Sequence, residues 1–202
     1  AHPTQFYPGN VLGIITDLDK AIQQNDLLLI KNLLAQLGKT PFFKKQKPTP
    51  YDEAVSLIWY LEHVLYHSVS TIYNFVQQHI YDGEVLNNEI IDLGFWPGGD
   101  RDGNPFVTTK ITLDVAERLR QSILRSYYRD VRRLKRRFTF DGVQEVLSKI
   151  EKRLYKHVVR SYSKVNFSQD IFLDELAKAR KIIEEKHQSL FIEELDDFIN
   201  KV

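Results

Sequence analysis

Pro50–Tyr81, PYDEAVSLIWYLEHVLYHSVSTIYNFVQQHIY, reads as one long helix. Thr49 is placed to cap it, Pro50 has the fixed φ suited to a first helical position, and Asp52 favours the positive end of the helix dipole. Ala54, Leu57, Ile58, Leu61, Leu65, Val69, Ile72 and Phe75 recur at helical spacing and form one apolar stripe. Asp82-Gly83 ends it.

The same period runs outward in both directions. Upstream, Asn10 caps a helix whose face is Val11, Leu12, Ile15, Leu18 and Ile22, and Asp26–Leu37 forms a second helix stopped by Gly38. Residues 38–50, with three prolines and four lysines, make a connector. Downstream, Thr112 caps a helix reaching Phe138, with the stripe Ala116, Leu119, Ile123, Tyr127, Val131, Leu134 and Phe138. Asp141-Gly142 breaks the chain. Gln144–Tyr162, Phe172–Lys186 and Leu190–Val202 are further helices. Asn88–Trp96 (NEIIDLGFW) is the one convincing strand, being short, apolar and followed by glycines. The expected class is predominantly α: long packed helices with one or two short strands. Residues 1–202 are treated as one helical domain, with a possible sub-boundary near 163–168.

Composition narrows the chemistry. The 202 residues carry 28 Lys+Arg against 27 Asp+Glu, a net charge of +1, so no chain-wide basic field for nucleic acid exists. The chain has no cysteine, which excludes disulfides, thiolate catalysis, iron–sulfur clusters and cysteine zinc sites. No apolar stretch approaches the roughly 18 residues of a membrane span. The opening AHPTQFYPGN lacks the basic and apolar regions of a signal peptide. The chain also has no methionine, even at position 1, and is expected to be a piece of a longer protein.

The most informative segment joins the strand to the next helix: Gly98-Gly99-Asp100-Arg101-Asp102-Gly103-Asn104-Pro105. Gly98, Gly99 and Gly103 permit unusual backbone angles and close approach to a ligand. Asp100 and Asp102 flank Arg101 and can orient its guanidinium, a fork suited to phosphate or carboxylate. A surface turn with local Arg–Asp pairs is the other reading of these residues. The pattern lacks the Gly-Lys-Ser/Thr end of a Walker loop, and it lacks the terminal glutamate of a calcium loop.

The run FWPGGDRDGNPFVT (95–108) resembles the GGDRDGNPxVT motif of phosphoenolpyruvate carboxylases. Ala1-His2-Pro3-Thr4-Gln5 is similar to the end of that family's TAHPTE/Q motif. Lys47-Pro48-Thr49-Pro50 with Asp52-Glu53-Ala54 is similar to its RPTPxDEA stretch. The three occur in the family's order and cover about the first 140 residues.

The resemblance implies a lyase that joins bicarbonate to phosphoenolpyruvate, giving oxaloacetate and phosphate with Mg²⁺ or Mn²⁺. Bicarbonate attacks phosphorus to give carboxyphosphate and the enolate of pyruvate, and the enolate captures the CO₂ released. By motif, Arg101 holds the substrate phosphate and His2 assists carboxyphosphate breakdown. Asp100, Asp102, Gly98, Gly99, Gly103 and Asn104 support the loop. The family's glycine-rich FHGRGG loop, its metal-binding Glu and Asp, and its effector region for aspartate or malate have no counterpart in this sequence, so no metal ligand is expected here. Pro8 and Gly9 stand where the family usually shows two arginines, which implies a divergent bacterial-type branch.

The fold implied is part of an elaborated (β/α) barrel, the parent a cytoplasmic homotetramer, and the isolated piece inactive and prone to self-association. No membrane or nucleic-acid partner is expected. The alternative, read from the residues alone, is a helical binding module. It would engage RNA or a protein through Arg118, Arg120, Arg125, Arg129, Arg132, Arg133, Arg136 and Arg137 on one helix. Glu62, His63 and His67 share the long helix in an order that does not make a zinc motif, and packing is their expected role. His79, His157 and His187 receive no role.

Overall fold

The computed structural model describes residues 7–42, 48–81, 91–159 and 167–202. Two compact units divide the chain, Ala1–Thr49 and Pro50–Val202. Among the described residues every regular element is helical.

The first unit is a helical hairpin of α1 (Gly9–Gln23) and α2 (Leu27–Lys39). Asn25 sits at φ 55, a left-handed position that asparagine tolerates, and makes the turn. Asp26 then caps α2 by accepting from the Leu29 amide at 3.0 Å. Ile14, Leu18 and Ala21 pack against Ile30, Leu33 and Leu37. This corrects the expected α1 face. Leu12, Ile15 and Ile22 are exposed, because α2 lies along the row of Ile14, Leu18 and Ala21. Gly38 lies inside α2 and not beyond its end; Thr40 is the C-cap.

In the second unit α3 (Pro50–Tyr60), a π-helical turn (Leu61–Leu65) and α4 (Tyr66–Ile80) run on from one another without a break. The predicted 50–81 helix is therefore present, but with a register change. A π-turn carries one residue more than an α-turn, rotating the downstream residues by about 100° relative to an unbroken α-helix. Ala54 and Ile58 face inward as expected; beyond the turn the buried positions are Tyr66, Ser70 and Tyr73. Each lies one residue after the expected Leu65, Val69 and Ile72. Ile72 and Phe75 are 50% and 58% exposed.

The core of this unit lies among α5 (Thr109–Arg137), α6 (Val143–Val159), α7 (Gln169–Glu185) and α8 (Ser189–Ile199). α5 packs on α3 and α6, α6 on α7, α7 on α8, and α4 on α8. Tyr127, Val131, Leu134 and Phe138 are buried as their spacing predicts, whereas Ala116 and Ile123 are exposed. Gly142, at φ +88, makes the tight turn between α5 and α6. Helices on both sides of the suggested 163–168 boundary contribute to one core, although most of that segment lies outside the described residues.

The expected strand is corrected as well. Residues 91–96 have no strand geometry, and 88–90 lie outside the described residues. A β-ladder requires a neighbouring strand for its amides and carbonyls, and none occurs among the described residues.

Three of the eight arginines on α5 fasten it to other elements. Arg129 pairs with Glu62 of the π-turn at 2.8 Å, Arg132 with Glu151 of α6 at 3.6 Å, and Arg137 with Glu194 of α8 at 3.0 Å. Arg120 and Arg133 pair within α5 with Glu117 and Asp130. Glu62 also accepts from the Ser122 hydroxyl at 3.1 Å. At the far side of the core the Tyr66 hydroxyl donates to buried Asp130 at 2.9 Å. Burial, and the carboxylate beside it, hold that phenol well above its ordinary pKa. Lys201, 5% exposed, pairs with Asp197 at 2.7 Å and lies 3.9 Å from Asp130. No described helix is long and apolar enough to cross a membrane.

Candidate functional site

The loop from Pro97 to Thr108 is shaped by its glycines and closed against the first turn of α5. Gly98 adopts φ +80, and a Cβ there would lie 2.8 Å from Val115 Cγ2. Both the backbone angle and the contact require glycine. At Gly103 a Cβ would meet the Asp100 carboxylate at 2.7 Å, so a larger residue there would turn that side chain aside. Asp100 accepts from the Gly103 amide at 3.2 Å, and Asn104 accepts from the Phe106 amide at 3.0 Å, so two side chains take over backbone turn contacts.

Thr108, extended at φ −87 and ψ 162, caps α5 by accepting from the Ile111 amide at 3.4 Å. The helix thus begins three residues before the expected cap. Thr112 serves differently: its hydroxyl donates to the Gly98 carbonyl at 2.7 Å and ties the start of the loop to the helix. Val107 is buried and anchors the end of the loop.

Arg101 is exposed at the crown of this loop. Its Nη2 donates to Thr109 Oγ1 at 3.1 Å, and it forms no ion pair with a described residue. The expected orientation by Asp100 and Asp102 is therefore corrected. Asp100 is turned to the Gly103 amide, and the guanidinium is held by the neutral hydroxyl of Thr109. Thr109 does not stand out in the sequence, and Thr112 does so only as an expected helix cap; the signal for both is the cluster of Thr108, Thr109 and Thr112 after the glycine loop. His2 lies outside the described residues.

A cavity of about 420 Å³ is lined by Leu61, Glu62, Leu93, Phe95, Ile123 and Lys201, among others. Its charged groups are already paired, Glu62 with Arg129 and Lys201 with Asp197, so its walls act as an apolar surface. Arg101 does not line the cavity; among the described residues its guanidinium has no ion pair, as is also true of Arg118, Arg125 and Arg136 on α5. Among the described residues no group of three His, Asp or Glu side chains converges to hold a metal, so these residues do not fit a resident Mg²⁺ or Mn²⁺. The imidazole of His63 stacks on Trp59 at 4.5 Å, a packing role.

A sequence model of phosphoenolpyruvate carboxylase matches residues 10–190. The chain belongs to the phosphoenolpyruvate carboxylase family. It is 36% identical over 117 residues to the phosphoenolpyruvate carboxylase of Shewanella oneidensis, covering 56% of this chain and 13% of that protein. To the enzyme of Acinetobacter baylyi it is 28% identical over 178 residues, covering 80% and 20%. The chain thus spans a fifth or less of the length of these curated relatives.

Within this phosphoenolpyruvate carboxylase segment, the Gly98 geometry makes a direct prediction. Gly98→Ala adds a methyl group to a left-handed residue pressed on Val115, and is expected to destabilise the chain by about 2–4 kcal/mol. Thermal unfolding checks it. Adding Val115→Ala should recover the steric part only, and an unchanged midpoint in the single variant would contradict the geometry.

Proposed function

We propose that this chain supplies the phosphate-recognition loop of a phosphoenolpyruvate carboxylase. The observation that carries the reading is the Gly98–Pro105 loop presenting Arg101 with no ion pair among the described residues and with one edge of its guanidinium engaged. A planar cationic fork on a backbone fixed by glycine suits the equatorial oxygens of a phosphoryl group as charge shifts onto them. In this reading bicarbonate oxygen attacks phosphorus, the enol P–O bond breaks, and Arg101 stays on the transferred phosphoryl group. His2 then acts beside the carboxyphosphate. The C–O bond of carboxyphosphate breaks to release CO₂ and inorganic phosphate, and the enolate carbon captures the CO₂, giving oxaloacetate that feeds the tricarboxylic acid cycle.

The divalent ion supplies Lewis acidity when bound, with ligands from parts of the protein outside this chain. A cytoplasmic homotetrameric parent, with this chain inside an elaborated barrel, completes the proposal. Exposed Trp59, Ile72, Phe75 and Ile80 support self-association of the isolated chain.

A coupled oxaloacetate assay tests the reading. The full-length protein carrying this sequence should turn over with phosphoenolpyruvate, bicarbonate and Mg²⁺, while the isolated 202 residues should not. Catalytic groups that act as a unit lose nearly everything when most are missing. A silent full-length protein overturns the activity. Turnover that scales with the isolated chain overturns the view that it holds only part of the site.

A further inference from the structure

An arginine that must meet a phosphoryl group carries many rotamers, and the loop backbone restrains none of them. Neither neighbouring carboxylate does so here: Asp100 is held on the Gly103 amide, and no ion pair joins Arg101 to Asp102. The restraint comes from Thr109 Oγ1, 3.1 Å from Arg101 Nη2. Thr109 is itself well placed for this. It is the first residue of α5, directly after the capping Thr108, and one turn before Thr112, which binds the loop's other end at the Gly98 carbonyl. Loop entry and arginine are thereby referenced to the same helical turn.

We infer that Thr109 is a positioning residue for the phosphate arginine: its hydroxyl oxygen accepts from one edge of the Arg101 guanidinium and turns the remaining N–H groups toward the phosphoryl oxygens. The inference rests on the phosphate reading of Arg101. The chemistry of the partner matters. A carboxylate in this place would fix the guanidinium equally well, but it would neutralise the charge and repel the incoming dianion. A neutral hydroxyl sets direction and leaves the full positive charge for the substrate.

The test is steady-state kinetics of the full-length protein with Thr109→Val, Thr109→Ser, Arg101→Ala and the Thr109→Val/Arg101→Ala double variant. Thr109→Ala provides a second acceptor-free variant. Loss of one hydrogen bond should lower kcat/KM for phosphoenolpyruvate about two- to tenfold in Thr109→Val and Thr109→Ala. KM for bicarbonate and the thermal midpoint should stay put, and Thr109→Ser should restore the wild-type value. With Arg101 already removed, Thr109→Val should cost nothing further, since the two act through one contact. If Arg101→Ala collapses activity while both acceptor-free variants remain wild type, the role of Thr109 is overturned and the phosphate reading stands. An equal Thr109→Val loss with and without Arg101 also overturns it. Wild-type kinetics in Arg101→Ala overturns the phosphate reading and this inference with it.

Discussion

Replacing Arg101 by lysine in the full-length protein is expected to lower kcat/KM for phosphoenolpyruvate by about one to two decades. Lysine keeps the charge but presents a single ammonium in place of the planar fork, so two parallel contacts to phosphoryl oxygens become one at best. A hydrogen bond to a charged group is worth about 1.5–3 kcal/mol, and about 1.4 kcal/mol is a decade in rate. Alanine removes charge and fork together and should cost more. Structure should survive both changes, because the side chain is exposed and its one hydrogen bond among the described residues is to Thr109. The measurement is kcat/KM for each substrate, beside a circular-dichroism melt of every variant. Full retention of kcat/KM for phosphoenolpyruvate by a folded Arg101→Ala protein would reduce the loop to a structural turn.

The largest stability effect is expected at Phe172. This side chain is fully buried where α5, α7 and α8 meet, with ring centroids 5.6 Å from Tyr127, 5.4 Å from Phe167 and 6.1 Å from Phe198. Phe172→Ala removes the centre of that cluster and leaves a cavity that three rings cannot close together. The cost should be about 3–5 kcal/mol, against a total of about 5–15 kcal/mol for a whole domain. Urea unfolding of the 202-residue chain would register this as a lower midpoint at similar slope. Phe172→Leu should lose clearly less, since it fills most of the void. A Phe172→Ala midpoint equal to wild type would mean that the cluster does not hold the helices together.

The helices were legible because their signals are local. Asp26 caps α2, Pro50 opens α3 and Gly142 turns α5 into α6, each through chemistry contained within a few residues. The run Gly98–Pro105 was legible for the same reason, since its glycines and carboxamide act on their own backbone. Where expectation and structure part, a distant partner or a change of helical pitch intervenes. The buried side of α1 depends on where α2 lies. The inward face of α4 depends on a π-turn whose Glu62 is drawn to Ser122 and Arg129, some sixty residues away. The RNA-binding alternative built on the arginine helix meets the same limit. Charges that look free along a sequence are paired across space, as with Glu151 and Glu194.

By itself the sequence determined a predominantly helical chain, several of its helix boundaries to within a few residues, and a glycine-rich loop carrying Arg101 between two carboxylates; the expected break at Asp82-Gly83 lies outside the described residues. These come from backbone preferences and from patterns that repeat within one or two turns. Only the tertiary structure decided which faces α1 and α4 bury, which acids neutralise which arginines, and what holds the guanidinium of Arg101. A carboxylate next in sequence is not thereby next in space. The turn sends Asp100 to the Gly103 amide and brings Thr109, eight residues on, to the arginine.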